Sequence, residues 1–302
     1  MSAIEKSVII ATRGSELALW QAHFLQAELK NQGVDSTLNI IKTKGDKIQD
    51  LSFDKIEGKG FFTKEIEDAL LDGSAHIAVH SMKDLPTDNP EGLVIGALSY
   101  REDARDCLLI NKSSVSEGEV LKLQNGAVIG TSSSRRKAQM LHLRNDLVMK
   151  DIRGNVPTRI QKLRDGHYDG ILLAAAGVTR LALDLSDFEV IYFHPREFTP
   201  APSQGVLAFQ CRAEDVETRK ILAKLHHSDV SSCTNVERKV LKMMGGGCHM
   251  PLGVYCEKDS AGNYRAYGSM AHHVDEPLTK VSIAQTTTDQ LAENLFNALN
   301  KK

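Results

Sequence analysis

Short apolar runs alternate with amphipathic stretches of helical period through much of this chain, and that rhythm admits few folds. Ser7 to Ala11 reads as a strand and Glu16 to Asn31 as a helix, with Leu17, Trp20, Phe24 and Leu25 near helical spacing. Ser36 to Lys42 is a second strand, Thr63 to Leu71 a helix, and Ile77 to Val79 a third strand. A βαβαβ succession calls for a mostly parallel sheet covered by helices. The pattern returns after Asp106, with strands at Cys107 to Ile110, Ala127 to Ile129, Leu147 to Asp151 and Gly170 to Leu173, and helices at Arg135 to Leu143 and Thr158 to Arg164. A third region begins near Glu214 and holds a helix around Asn235 to Met243, the run Gly245-Gly246-Gly247, further strands and a helix from Thr288 to Leu299. A chain of 302 residues is expected to divide into two or three domains. Gly45 to Gly60 is long, polar and bounded by glycine, and loops of this length are usually lids or disordered.

Charge narrows the partners. The net charge is −2, so no global field draws the chain to nucleic acid or an anionic membrane. Anion binding has to come from local clusters. The longest apolar run, Ile171 to Val178, falls far short of the roughly 20 residues of a membrane span, and Met1 to Gly14 does not read as a signal peptide. The cysteines at 107, 211, 233, 248 and 256 form no CxxC pair, which argues against a disulfide framework and a structural zinc site and favours a reducing cytosol. Cys107, Cys211 and Cys256 lie in apolar strand-like segments and read as core. Cys233 reads as a helix-start or loop residue.

Several clusters carry chemistry. Thr131-Ser132-Ser133-Ser134-Arg135-Arg136 ends a strand and opens a helix, where free N–H groups and a partial positive charge favour carboxylate or phosphate. A serine cap with solvated arginines is the plainer alternative, but four hydroxyls and two arginines exceed what a cap needs. Asp151-Ile152-Arg153-Gly154-Asn155-Val156-Pro157-Thr158-Arg159 repeats the logic at the next strand end. Arginine suits bidentate carboxylate recognition. Arg13 and Ser15 echo the arrangement in the first half, with Gln21 on the following helix, and Lys55 and Lys59 could close over an anion. Asp84, in His80-Ser81-Met82-Lys83-Asp84-Leu85-Pro86, can stabilise a cationic intermediate or move a proton; a bridge to Lys83 or a turn cap would also account for it. His76 and His80 read as ordinary strand-end residues, not metal ligands. Cys248, after three glycines, is a candidate nucleophile or covalent attachment point. Cys248 and His249 are poorly placed to chelate one metal, and no metal is expected.

Together these residues resemble the family of hydroxymethylbilane synthase, also called porphobilinogen deaminase. The matching segments include Ala11-Thr12-Arg13, Leu17-Ala18-Leu19-Trp20-Gln21, Gly58-Lys59-Gly60, His80-Ser81-Met82-Lys83-Asp84, Arg101-Glu102-Asp103, Gly130-Thr131-Ser132-Ser133, Arg135-Arg136, Arg153-Gly154-Asn155, Gln204-Gly205 and Gly246-Gly247-Cys248, in order along the chain. The resemblance implies an α/β fold of two periplasmic-binding-protein-like domains, with a cleft between them, plus a smaller α+β C-terminal domain. Domain 1 would comprise residues 1–103 and 203–220, domain 2 residues 104–202 and domain 3 residues 221–302. It implies a cytoplasmic monomer that joins four porphobilinogen molecules head to tail, releases ammonia at each step and yields hydroxymethylbilane, with no nucleic acid or membrane partner.

The resemblance further implies a dipyrromethane cofactor on Cys248 through a thioether, so that the cysteine anchors rather than attacks. Asp84 would be catalytic. Ser81, Lys83, Asp84, Thr131, Ser132, Ser133, Arg135, Arg136, Arg153 and Gly154 would hold the cofactor. Arg13, Ser15, Gln21, Lys55, Lys59, Phe62, Asn155, Arg159, Arg180 and Gln204 would meet substrate. Glu57, Pro157 and Ser203 depart from the family's usual pattern, Ser203 standing where glycine is frequent. Two other readings stay open on the residues alone. A two-lobed anion-binding protein without catalysis explains the arginines but not Cys248, and a thiol enzyme lacks a base partner beyond His249.

Overall fold

A computed structural model describes residues 7–43, 63–246 and 250–301. The expectations for the Gly45 to Gly60 stretch, including Lys55, Glu57 and Lys59, and those for Phe62 and Cys248, lie outside the described residues. β1 (Val8–Arg13) leads into α1 (Glu16–Asn31), whose N-cap Ser15 accepts a hydrogen bond from the Ala18 N–H. α1 buries Gln21, Ala22, Leu25 and Leu29 on one face; each buried leucine is worth about 1.5–3 kcal/mol. β2 (Ser36–Ile41) pairs parallel to β1, α2 (Lys64–Leu71) follows, and β3 (Ile77–Ser81) pairs parallel to β1 on its other side. β4 (Leu93–Leu98) comes next.

A second sheet then forms from β5 (Asp106–Asn111), β6 (Val128–Gly130), β7 (Val148–Lys150), β8 (Gly170–Ala174) and β9 (Phe188–Tyr192). Its helices are α3 (Ser134–Leu143), α4 (Val156–Arg164) and α5 (Ala175–Arg180). The strand order is β7-β6-β8-β5-β9. The chain then returns to the first sheet as β10 (Leu207–Arg212), which lies antiparallel between β3 and β4 and completes the order β2-β1-β3-β10-β4.

Both sheets are therefore mixed, not mostly parallel. In the second, β6 is parallel to β7 and β8, while β5 is antiparallel to β8 and β9. The antiparallel strand of each sheet is the one the chain enters straight after crossing from the other sheet. Pairing direction leaves little trace in composition here: β3, β5, β8 and β10 are almost wholly buried and read alike as apolar runs.

The remaining chain adds α6 (Val216–Ala223), α7 (Ser228–Met243), an antiparallel meander of β11 (Leu252–Lys258), β12 (Tyr264–Met270) and β13 (Thr279–Gln285), and α8 (Leu291–Leu299). Val236, Val240, Leu252, Val254, Leu291 and Leu295 form its core. α7 starts a full two turns earlier than its apolar pattern suggests, so Cys233 is a buried helical residue rather than a loop residue. α7 ends on a glycine signal: the Gly246 and Gly245 N–H groups donate back to Leu241 O and Lys242 O, with Gly245 at φ +91°. Two glycines of the run thus already serve as a helix cap.

By its internal contacts the chain divides into two units. Unit 1 is Met1–Arg101 with Val206–Ser231, and unit 2 is Glu102–Gly205 with Ser232–Lys302. No helix among the described residues is long and apolar enough to cross a membrane.

Candidate active site

In unit 1 the predicted residues gather at the carboxyl edge of the sheet. Arg13 ends β1, Ser15 caps α1, and Ser81 ends β3. Gln21 is buried and its Nε2 donates to Ser81 Oγ at 2.8 Å, so it ties α1 to the end of β3. A single 3₁₀ turn, Met82–Asp84, follows. Met82 and Leu85 are buried, and the Met82 N–H donates to Val206 O at 2.9 Å. The apolar spacing i, i+3 pins the turn from below and leaves Lys83 half-buried and Asp84 exposed. Among the described residues, no hydrogen bond or ion pair occupies the Asp84 carboxylate. It is neither a turn cap nor a bridge to Lys83.

Beneath this edge lies a buried polar chain. His80 Nε2 donates to Gln210 Oε1 at 3.1 Å, Gln210 Nε2 donates to Glu67 Oε1 at 3.3 Å, and Thr63 Oγ1 donates to Glu67 Oε2 at 3.2 Å. Every donor in it points toward the Glu67 carboxylate. Burial pushes the His80 imidazole down to about 4, against the weaker opposing pull of Gln210. The unfolded chain therefore takes up a proton near pH 6.5 that the folded one refuses until about pH 4. Stability from this site is complete above pH 6.5 and falls as the pH drops toward 4, by roughly 3 kcal/mol across the window. Urea midpoints measured from pH 7.5 to 4.5 are expected to show this decline, and His80→Gln to flatten it; an unchanged slope in that variant would contradict the assignment.

In unit 2 the arginine pair proves to be the heart of an ionic knot. Asp106, at the start of β5, is fully buried. Arg135 Nη1 donates to Asp106 Oδ2 at 2.6 Å, and Arg136 Nη2 donates to Oδ1 at 2.7 Å. Arg136 Nη1 also reaches Leu172 O and Arg135 Nη1 reaches Thr199 O. Burial alone would raise the Asp106 carboxyl, but the two guanidinium groups outweigh it and hold it well below the usual carboxylate range. One carboxylate against two guanidiniums leaves a single positive charge at the N-terminus of α3, where the helix dipole adds to it.

The hydroxyls beside the pair do more structural work than their number suggests. Ser133 is the N-cap of α3 and accepts from the Arg136 N–H. Thr131 Oγ1 accepts from the Ser133 N–H. Ser132 Oγ both donates to Ile152 O at 2.9 Å and accepts from Ile152 N at 3.1 Å, which joins the two strand-end loops. On the second loop Asn155 caps α4, its Oδ1 taken by the Thr158 N–H and Oγ1. Gly154 lies at φ +113°, and a Cβ there would meet Thr158 at 2.6 Å, so the position needs glycine. Arg159 Nε donates to Gly154 O, and Arg153 is half-buried at the same edge.

Gln204 and Arg180, also expected at substrate, are buried and hydrogen-bonded within unit 2. Gln204 is fully buried, and its Nε2 donates to Asp106 Oδ1 at 3.0 Å and to Ala104 O at 2.9 Å. Arg180 is buried and donates to Gly205 O at 2.7 Å. Gln204 fastens a strap, residues 199–205, to the knot, and Arg180 holds the end of that strap at Gly205. Asp106, Gln139 and Glu237 belong to the same network and were not singled out by the sequence. Asp106 left one signal: an acid directly before the wholly apolar Cys107 to Ile110 must find cations, and the first adjacent pair of arginines after it opens α3.

The buried thiols are chemically quiet. Burial pushes Cys107 up to about 12 and Cys211 up to about 11. Among the described residues, no group of His, Cys, Asp or Glu side chains could hold a metal ion.

Residues 8–220 match the family model described as porphobilinogen deaminase, dipyromethane cofactor binding domain. Porphobilinogen deaminase of Sulfurimonas denitrificans is 46% identical over 251 residues, covering 82% of this chain and 79% of that protein. The enzyme of the same name from Nitratidesulfovibrio vulgaris (strain Hildenborough) is 45% identical over 269 residues, covering 88% of this chain and 84% of that one. Among solved structures, the Lactococcus lactis GlnP substrate binding domain 2 in open conformation is 12% identical, with a TM-score of 0.44 over 81% of this chain and 93% of that one. With a family model spanning most of its length and relatives this close, the chain belongs to the porphobilinogen deaminase family.

Proposed function

We propose that the protein polymerises four porphobilinogen molecules into linear hydroxymethylbilane, a transferase reaction that releases ammonia at each addition. The observation that carries the residue assignment is Asp84: an exposed carboxylate, unpaired among the described residues, held on a turn at a sheet's carboxyl edge. As ammonia leaves the aminomethyl carbon with its electron pair, positive charge develops on the substrate's pyrrole. A fixed carboxylate opposes that charge most strongly in the transition state. Lys83, Ser81, Arg13 and Ser15 share the edge and supply cations and hydroxyls for the acetate and propionate arms. Gln21 acts on Ser81 and orients its hydroxyl.

The residues of unit 2 fit the family's dipyrromethane. The knot keeps one positive charge after Asp106 is satisfied, and Arg153 and Arg159 add cations at the neighbouring strand end. A group bearing acetate and propionate arms meets its complement there. When bound, the cofactor supplies the primer on which the chain is built. Arg135 and Arg136 meet its carboxylates and those of the rings joined to it, Thr131, Ser132 and Ser133 shape the loop that presents the α3 amides, and Gly154 lets the second loop turn tightly. Cys248 is the attachment point. The cytoplasm, a monomeric state, the absence of nucleic acid and membrane partners, and the division into domains 1–103 with 203–220, 104–202 and 221–302 belong to the same proposal.

Intact mass spectrometry tests it. Protein purified from a host that makes porphobilinogen is expected to exceed its sequence mass by one dipyrromethane, and Cys248→Ala to lack the increment. An unmodified wild-type mass overturns the proposal.

A further inference from the structure

We propose that Glu237 is a positioning residue for the anion-binding edge of unit 2, acting through the strap of residues 199–205. The inference rests on the reading that Arg135 and Arg136 meet ligand carboxylates. Glu237 lies on α7 and is 0% exposed. Its Oε2 accepts the Ser203 N–H at 2.6 Å and its Oε1 accepts the Cys256 N–H at 2.7 Å. A buried carboxylate is costly to bury, and a well-packed apolar residue would serve α7 as well if packing were the only need. What the carboxylate does that no apolar residue can is hold two separate backbone segments at once.

Those segments have definite places. β11 is an edge strand of its sheet, so alternate N–H groups along its outer side lack a neighbouring strand. The Val254 N–H finds Pro200 O of the strap at 3.0 Å, and the Cys256 N–H finds Glu237. The strap is thereby laid along β11. Close approach is built in: a Cβ on Gly253 would stand 2.5 Å from Thr199 O. On its other side the strap grips the knot. Thr199 O accepts from Arg135 Nη1 and from Gln139 Nε2, both at 2.9 Å, and Gln204 Nε2 donates to Asp106.

Ser203 sits between these grips at φ +63°, fully buried, with no hydrogen-bond partner for its Oγ among the described residues. A serine stays in that region only where its surroundings over-determine it. The bond from its N–H to Glu237 is one of those constraints. Losing it frees Ser203 to relax, and both grips on the knot, at Thr199 and Gln204, lie within four residues.

Glu237→Gln keeps the side chain's volume but offers one acceptor oxygen to two N–H groups. Two quantities report on it: KM and kcat of the holoenzyme, normalised to the fraction carrying the adduct by intact mass, and hydrogen exchange in peptides spanning 199–205 and 131–139. The expected result is a KM for porphobilinogen raised on the order of tenfold, as for one lost charge-assisted hydrogen bond. kcat per loaded molecule is expected to stay within about twofold, with faster exchange in both peptides. A merely structural role would loosen 199–205 alone and leave KM unchanged, and that result overturns the proposal. Should the glutamine variant not fold, Glu237→Asp, which keeps the charge but shortens the reach, is read for the same outcomes. Arg136→Gln measured alongside separates the two levels. If it raises KM and Glu237→Gln does not, only the role of Glu237 fails; if neither moves KM, the reading of the arginines fails with it.

Discussion

Asp84→Asn is expected to lower turnover by about 10²–10³-fold with little change in stability. The side chain is exposed and its carboxylate has no partner among the described residues, so folding does not depend on its charge. Asparagine has nearly the same shape and can still accept one hydrogen bond. What disappears is the negative charge facing the pyrrole as ammonia departs. The variant should keep the dipyrromethane adduct or stall with partly extended chains, both visible by intact mass. Ammonia release measures turnover and a urea midpoint measures stability. Full activity in this variant would remove Asp84 from the mechanism; a large fall in the midpoint would mean the turn depends on it structurally.

The second large effect falls on stability. Asp106→Asn removes the charge that neutralises Arg135 and Arg136 but keeps the volume. Two guanidiniums, their side chains only 6% and 8% exposed, then lose their counter-ion. Breaking a buried pair in this way typically costs about 3–5 kcal/mol. The pH dependence has a definite sign. The folded Asp106 carboxyl is held well below its ordinary value, so its contribution is fully present above the unfolded carboxylate range and fades as the pH falls below about 4. The gap between wild type and variant should be widest near neutrality and close in acid. Equal midpoints at pH 7 would show that the knot contributes nothing, and a gap that widens in acid would contradict the assigned ionisation.

Much of this architecture was legible in the residues. Glu16–Asn31 is found where its apolar spacing placed it, and the helices read at Arg135 to Leu143 and Thr158 to Arg164 are α3 and α4, begun one and two residues earlier at their Ser133 and Asn155 caps. What escaped has physical causes. β10 and β5 are buried on both faces, and an apolar run records burial, not direction or neighbour. β4 contains Gly96, a poor strand signal; the structure needs it because a Cβ there would meet Leu222 Cδ1 at 2.6 Å. At the site, the residue types were visible but their partners were not. Arg135 and Arg136 read as free cations because Asp106 lies 29 and 30 positions away. The bonds from Gln204 to Ala104 and Asp106, about a hundred residues earlier, were hidden for the same reason. Glu237 resembles any helical glutamate until its two amide partners are known.

The placement of β10 has a consequence for how the chain comes into being. β10 lies between β3 and β4, so β4 has no strand to pair with until residues 207–212 exist. A ribosome that has finished the first hundred residues has made every strand of the first sheet except the one that joins β4 to the rest. Unit 2's own sheet, β5 to β9, is contiguous in sequence and can close before then. The expected order of birth is therefore inverted: the later-encoded sheet completes first, and the N-terminal one waits for its missing strand, exposing an unpaired edge in the interval.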